Sequence, residues 1–128
     1  MKREEYRLHD LADPISHYTD AVRAGDLLFV SGVVPVDDEG RLVGGDDVVA
    51  QARAVFETMR LVLAAAGARP EDVVKVTVFL TDVDDRPAIN PVRQAFFGNA
   101  RPASTLVEIS RLAIPGAKIE VEAVAVLP

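Results

Sequence analysis

Asp46-Asp47-Val48-Val49-Ala50-Gln51-Ala52-Arg53-Ala54-Val55-Phe56-Glu57-Thr58-Met59-Arg60-Leu61-Val62-Leu63-Ala64-Ala65-Ala66-Gly67 is followed, after a short break, by Val73-Val74-Lys75-Val76-Thr77-Val78-Phe79-Leu80. In the first stretch apolar residues recur at Val49, Ala52, Val55, Phe56, Met59, Val62, Leu63 and Ala66, the spacing of one helical face. Gln51, Arg53, Glu57 and Arg60 fall mostly elsewhere on the turn. Asp46 or Asp47 caps the free N–H groups and suits the positive end of the dipole, while Gly67 and Pro70 form a stop. The spacing predicts a helix over 48–66. The second stretch is β-branched, with Lys75 and Thr77 alternating against Val74, Val76 and Val78, which predicts a strand with one covered face. Helix followed by strand sets the class as α+β.

Working outward, Gly25-Asp26 lies between two apolar runs and predicts a hairpin, with Leu27 to Val30 as a buried strand. Pro35 ends it, and Asp37-Asp38-Glu39-Gly40 reads as a solvated turn. Beyond Leu80, Asp82 to Asp85 reads as a loop. A second helix then runs to Phe97, with Pro91 in its first turn and Gly98-Asn99 at its end. Strands over 104–109 and 118–127 close the chain, joined by the turn Pro115-Gly116. In the last of them Ile119, Val121, Ala123 and Ala125 share one face, and Glu120, Glu122, Val124 and Val126 the other. The sum is a sheet of five or six strands with two helices on one face. Its other face still carries Val and Leu side chains and calls for a cover, which oligomerisation would supply.

The chain has 128 residues, enough for one domain (1–128) and too few for two cores. It carries no cysteine, which removes disulfides, thiolate metal sites and a cysteine nucleophile, and fits a reducing cytoplasm. The net charge of −6, without a Lys/Arg cluster, argues against a nucleic-acid partner. The charged start Met1-Lys2-Arg3-Glu4-Glu5 leads into no apolar run, so a signal peptide is not expected, and no apolar stretch is long enough for a membrane span. His9-Asp10 is a lone pair without a further ligand at helical or strand spacing, so neither a metal nor another cofactor is expected.

Seven segments, in order, resemble the reactive-intermediate deaminase (Rid, YjgF-like) family. Ile15-Ser16-His17-Tyr18 is similar to its Gly-Pro-Tyr segment, and Leu28-Phe29-Val30-Ser31-Gly32-Val33-Val34-Pro35-Val36 to its strand ending in Ser-Gly-Gln-Ile-Pro. Gln51-Ala52-Arg53, the strand 73–80, and Asn90 with Ala95-Phe96-Phe97 continue the match. Arg101-Pro102-Ala103-Ser104-Thr105-Leu106-Val107-Glu108 and Ile119-Glu120-Val121-Glu122-Ala123-Val124-Ala125 complete it. The resemblance implies a chorismate-mutase-like α+β fold, a homotrimer whose sheets pack inward, and a small-molecule pocket between subunits. It also implies hydrolysis of reactive imines or enamines to a keto acid and ammonia.

Such hydrolysis needs a polarised nitrogen, a positioned water and an anchor for the rest of the substrate. By resemblance Glu120 orients or activates the water; otherwise it is an exposed acid on a sheet face, pairing with Lys118. Ser31 and Gly32 offer a hydroxyl and a closely approached backbone, or simply end a strand. Tyr18 closes the pocket by resemblance, or is a half-buried core tyrosine. Asn90 belongs to the implied ligand-binding set, while its own position favours a cap for the second helix. The family's Pro-Ala-Arg-Ser, whose arginine clamps the substrate carboxylate, reads here Pro102-Ala103-Ser104-Thr105, so Ser104 stands where the arginine is expected. A serine cannot copy a bidentate guanidinium. Leu106 makes the neighbouring position more apolar, and His17 adds a titratable ring beside Tyr18, as a functional group or as a surface loop residue. The expectation is a Rid-type hydrolase without the usual carboxylate demand. The alternatives are a trimer that binds a small molecule without catalysis and, least compatible with the acidic composition, an endoribonuclease.

Overall fold

The computed structural model describes residues 2–128; Met1 lies outside them. Strands β1 (Arg3–Tyr6), β2 (Ala21–Ala24) and β3 (Leu27–Val33) lead into helix α1 (Val48–Ala65). Strand β4 (Val73–Leu80), helix α2 (Arg86–Phe97), and strands β5 (Ala103–Glu108) and β6 (Ile119–Val126) complete the chain. All six strands form one mixed sheet in the order β1-β2-β3-β6-β4-β5. Only β4 and β5 run parallel, and they are joined through α2 as a crossover requires. β5 and β6, adjacent in sequence, are separated in the sheet by β4.

The hairpin at Gly25-Asp26 forms as its residues dictate. Gly25 takes φ 61° and Asp26 stays at negative φ, the pattern of a two-residue turn with glycine first. Asp47 caps α1, its carboxylate accepting from the backbone N–H of Val49 at 2.9 Å and of Ala50 at 3.3 Å. The core lies between α1, α2 and the inner face of the sheet. It holds Leu28, Val30, Val55, Met59, Leu63, Val76, Val78, Leu80, Ile119, Val121 and Ala125, all buried. The rings of Phe56, Phe96 and Phe97 join the two helices, with centroids 4.9–6.0 Å apart.

Several expectations are corrected. Gln51 is not on the polar side of α1 but fully buried, with its whole amide engaged. Nε2 donates to the carbonyls of Gly45 (2.7 Å) and Gly116 (3.0 Å), and Oε1 accepts from the Lys118 N–H (2.7 Å). In β4 the pairing slips between Val73 and Lys75, so Val73 is buried and Val74 is 44% exposed. Helix α2 starts at Arg86 with Pro87 in its first turn; Pro91 lies inside it and Asn90 caps nothing.

Candidate functional site

Strand β3 does not end at Ser31-Gly32. It continues to Val33, and its pairing with β6 shifts between Val30 (opposite Ala123) and Val33 (opposite Val121), which leaves an extra residue on β3. Such a bulge re-aims side chains at a sheet surface. Glu120 folds over this point. A Cβ built on Gly32 would stand 2.8 Å from Glu120 Cδ and 3.0 Å from its Oε2, so only glycine leaves the carboxylate room.

The loop carrying Tyr18 is fastened to the same place. Ser31 Oγ donates to the Thr19 carbonyl at 2.6 Å, and the Ser31 N–H to the Asp20 carbonyl at 3.0 Å. With its hydrogen so directed, the Ser31 oxygen keeps lone pairs for a ligand N–H. Arg7, which sequence reading missed, ties the loop down. Its guanidinium donates to the carbonyls of Leu8, Leu11 and Ala12, to Asp13 (2.8 Å) and to Asp20 Oδ2 (3.0 Å). Tyr18, Ser31 and Gly32, with Asp13, Val33 and Ile114, line a hollow of about 290 Å³ that reaches Thr58 and Val62 of α1; Glu120 does not line it but packs on Gly32 at its border. His17 is exposed beside it and is not part of the lining.

Glu120 is half-buried. Burial, and secondarily the like charge of Glu122, push its carboxyl above the usual carboxylate range. Among the described residues no ion pair joins it to Lys118 or to any other cation.

Ser104, Leu106 and Asn90 lie apart from this group. Ser104 pairs with buried Val76 and Leu106 with buried Val78, so both look to the helix side of the sheet, where Leu106 packs on the core. Glu120 pairs with Phe79, on the opposite face. Asn90 is exposed on α2. The residues expected in one pocket therefore fall into two groups, one at the β3–β6 bulge and one on α2 and the edge strand β5. A second missed residue belongs to the latter: Arg93 of α2 donates from Nη2 to Ser104 Oγ at 2.8 Å. Burial lowers the pKa of its guanidinium.

The profile of the family described as Endoribonuclease L-PSP matches residues 9–127. A 2-iminobutanoate/2-iminopropanoate deaminase of Salmonella typhimurium is 41% identical over 115 residues, 88% of each chain. A 3-aminoacrylate deaminase, RutC, of Acinetobacter baylyi is 38% identical over 112 residues, again 88% of each. The crystal structure of E. coli TdcF with bound serine superposes with a TM-score of 0.88 at 32% identity, covering 98% of this chain and 99% of that one. The six-stranded sheet with its two helices is thus the chorismate-mutase-like fold, and the chain belongs to the Rid/YjgF family.

Proposed function

We propose that this chain, as one domain per subunit of a homotrimer, is a Rid-type deaminase hydrolysing a small imine or enamine. The observation that carries the proposal is the Glu120 carboxylate laid over Gly32, a residue that lines the hollow together with Ser31 and Tyr18. The two named deaminases, at 41% and 38% identity, support the reaction class.

In this reading Glu120 takes a proton from a water as its oxygen adds to the imine carbon. Glu120 returns that proton to the nitrogen to complete the carbinolamine. The hydroxyl proton then passes by way of Glu120 to the amine as the C–N bond breaks, so ammonia leaves and the former water oxygen becomes the carbonyl. An enamine enters the same path once a proton has moved from its nitrogen to its β-carbon. Ser31 accepts from the substrate N–H, and Tyr18 covers the hollow. Hydrolysis of this kind consumes only water, so no cofactor is called for. The β5-edge group, Ser104, Leu106 and Asn90, faces away from Glu120 within a chain and completes the pocket from a neighbouring subunit. The net charge of −6 weighs against an RNA substrate despite the family's description.

The test is release of keto acid from 2-iminobutanoate and 2-aminoacrylate generated in situ by a pyridoxal-phosphate dehydratase. Acceleration that Glu120→Gln abolishes is the expected result. Binding of the keto acid without acceleration would instead identify a non-catalytic ligand-binding trimer.

A further inference from the structure

Arg93 is a cation without a counter-ion. Its guanidinium is partly buried between α2 and β5, and among the described residues no carboxylate forms an ion pair with it. A desolvated positive charge is costly to keep, and burial indeed depresses its pKa. Its one side-chain hydrogen bond among the described residues, to Ser104 Oγ, uses one of five N–H donors and holds Nη2 at β5, leaving the rest free. Ser104 is itself exposed, on an edge strand whose outer side pairs with nothing, so the oriented guanidinium stands beside open surface. A fork of parallel donors held this way matches a carboxylate.

We propose that Arg93 is the carboxylate-binding residue of this protein, a guanidinium delivered from helix α2 and held in place by Ser104. The inference rests on the deaminase reading for its substrate class: iminobutanoate, iminopropanoate and aminoacrylate, the compounds for which the relatives are named, all carry a carboxylate. It reverses the expectation that loss of an arginine at position 104 frees the substrate from that requirement. The anchor has moved from strand to helix, and the serine has become its positioning residue. Across the subunit boundary, Arg93 of one subunit holds the carboxylate while Glu120 of the next activates water at the adjacent carbon.

The experiment separates binding from turnover. Affinity for 2-oxobutanoate, the keto acid that 2-iminobutanoate yields, is measured by calorimetry alongside turnover of the imine and trimer mass by light scattering. Wild type and Glu120→Gln are expected to bind equally, although only wild type turns over. Arg93→Ala is expected to bind about 10- to 100-fold more weakly, the loss of one charge-assisted pair. Arg93→Gln, which keeps the aliphatic stem and a polar amide but neither the charge nor the full reach to Ser104, is expected to weaken binding similarly in an intact trimer, and decides the matter if Arg93→Ala does not assemble. The double variant Arg93→Ala/Ser104→Arg, which returns a guanidinium to the same spot from the strand, is expected to recover affinity to within several-fold of wild type. A trimeric Arg93→Gln protein with wild-type affinity, or a wild type with no affinity for the keto acid, overturns the assignment. Arg93-dependent binding without turnover in the wild type would leave the anchor standing and sink the enzyme reading alone.

Discussion

A carboxylate that takes a proton from water has to be ionised at the working pH, yet basic enough to accept that proton. Burial and Glu122 raise the pKa of Glu120, which moves it in the useful direction. The sign has two consequences. In the proposed reaction turnover requires ionised Glu120, so kcat/KM is expected to fall as pH drops through a pKa raised above the ordinary carboxylate value. Glu122→Gln removes the like charge, lowers that pKa and shifts the acid limb of the profile to lower pH. An unmoved limb would mean that another group controls it. For stability, a folded-state pKa above the unfolded one favours folding below the unfolded pKa, and that contribution disappears as pH rises through the folded value. Glu120→Gln is therefore expected to raise Tm at pH 7 while abolishing turnover, a trade between stability and function. Gly32 belongs to the same argument. In Gly32→Ala the new Cβ would meet Glu120 Cδ at 2.8 Å, and the flexible glutamate yields before the sheet does. Activity is expected to fall at least about 10-fold with little change in Tm, because a small displacement of a reacting group is kinetically expensive.

At the scale of elements, α1 and β6 pack together in the core, and one polar side chain ties their ends. Gln51 joins the turn before α1 to the chain entering β6, through three hydrogen bonds in a site with no access to water. Gln51→Leu keeps the bulk but strands two carbonyls and one N–H, so it is expected to cost about 2–4 kcal/mol, measured as a shift in the urea midpoint. Gln51→Glu would be worse at pH 7, since it buries a charge facing carbonyls. Helical spacing placed α1 to within a residue of its end, yet it assigned Gln51 to the polar side. Periodicity classifies side chains by type and cannot see that two glycine carbonyls and a strand N–H converge on an amide. The same limit hid the slip in β4, where alternation favoured Val74 over Val73. Parallel pairing of β4 with β5 was equally out of reach, since the sequence neighbours β5 and β6 invite a hairpin. Of the candidate site, the segments carrying Tyr18, Ser31, Gly32 and Glu120 were legible, and the structure brings those four to one bulge. Arg93 was not, because its contact with Ser104 spans two elements and no local pattern records it.

For the whole molecule, the question is what covers the sheet face opposite the helices. Leu27, Phe29, Val107 and Val126 lie there, each 38–47% exposed. Phe29 pairs with Val124 and Leu27 with Val126, so β3 and β6 present a continuous apolar strip. Isolated apolar side chains at a surface are ordinary, whereas a strip across adjacent strands is an interface feature. We propose that a three-fold assembly turns this face inward in every copy, and the shared site proposed above requires that it also bring each β5 edge to a neighbour's β3–β6 bulge. Assembly and activity are then one property, since neither the Glu120 group nor the Arg93 group is a complete site alone. Phe29→Asp tests this without touching either group. It places a charge in the middle of the strip, where three symmetric copies would face one another without counter-ions. The variant is expected to elute and scatter light as a monomer, with far-UV dichroism close to wild type because the core lies on the other side of the sheet. Keto-acid release is expected to fall to background, and affinity for 2-oxobutanoate to fall with it. A monomeric Phe29→Asp protein that keeps full turnover would mean that one chain holds the entire site, and would remove the reason for placing Arg93 and Glu120 on different subunits.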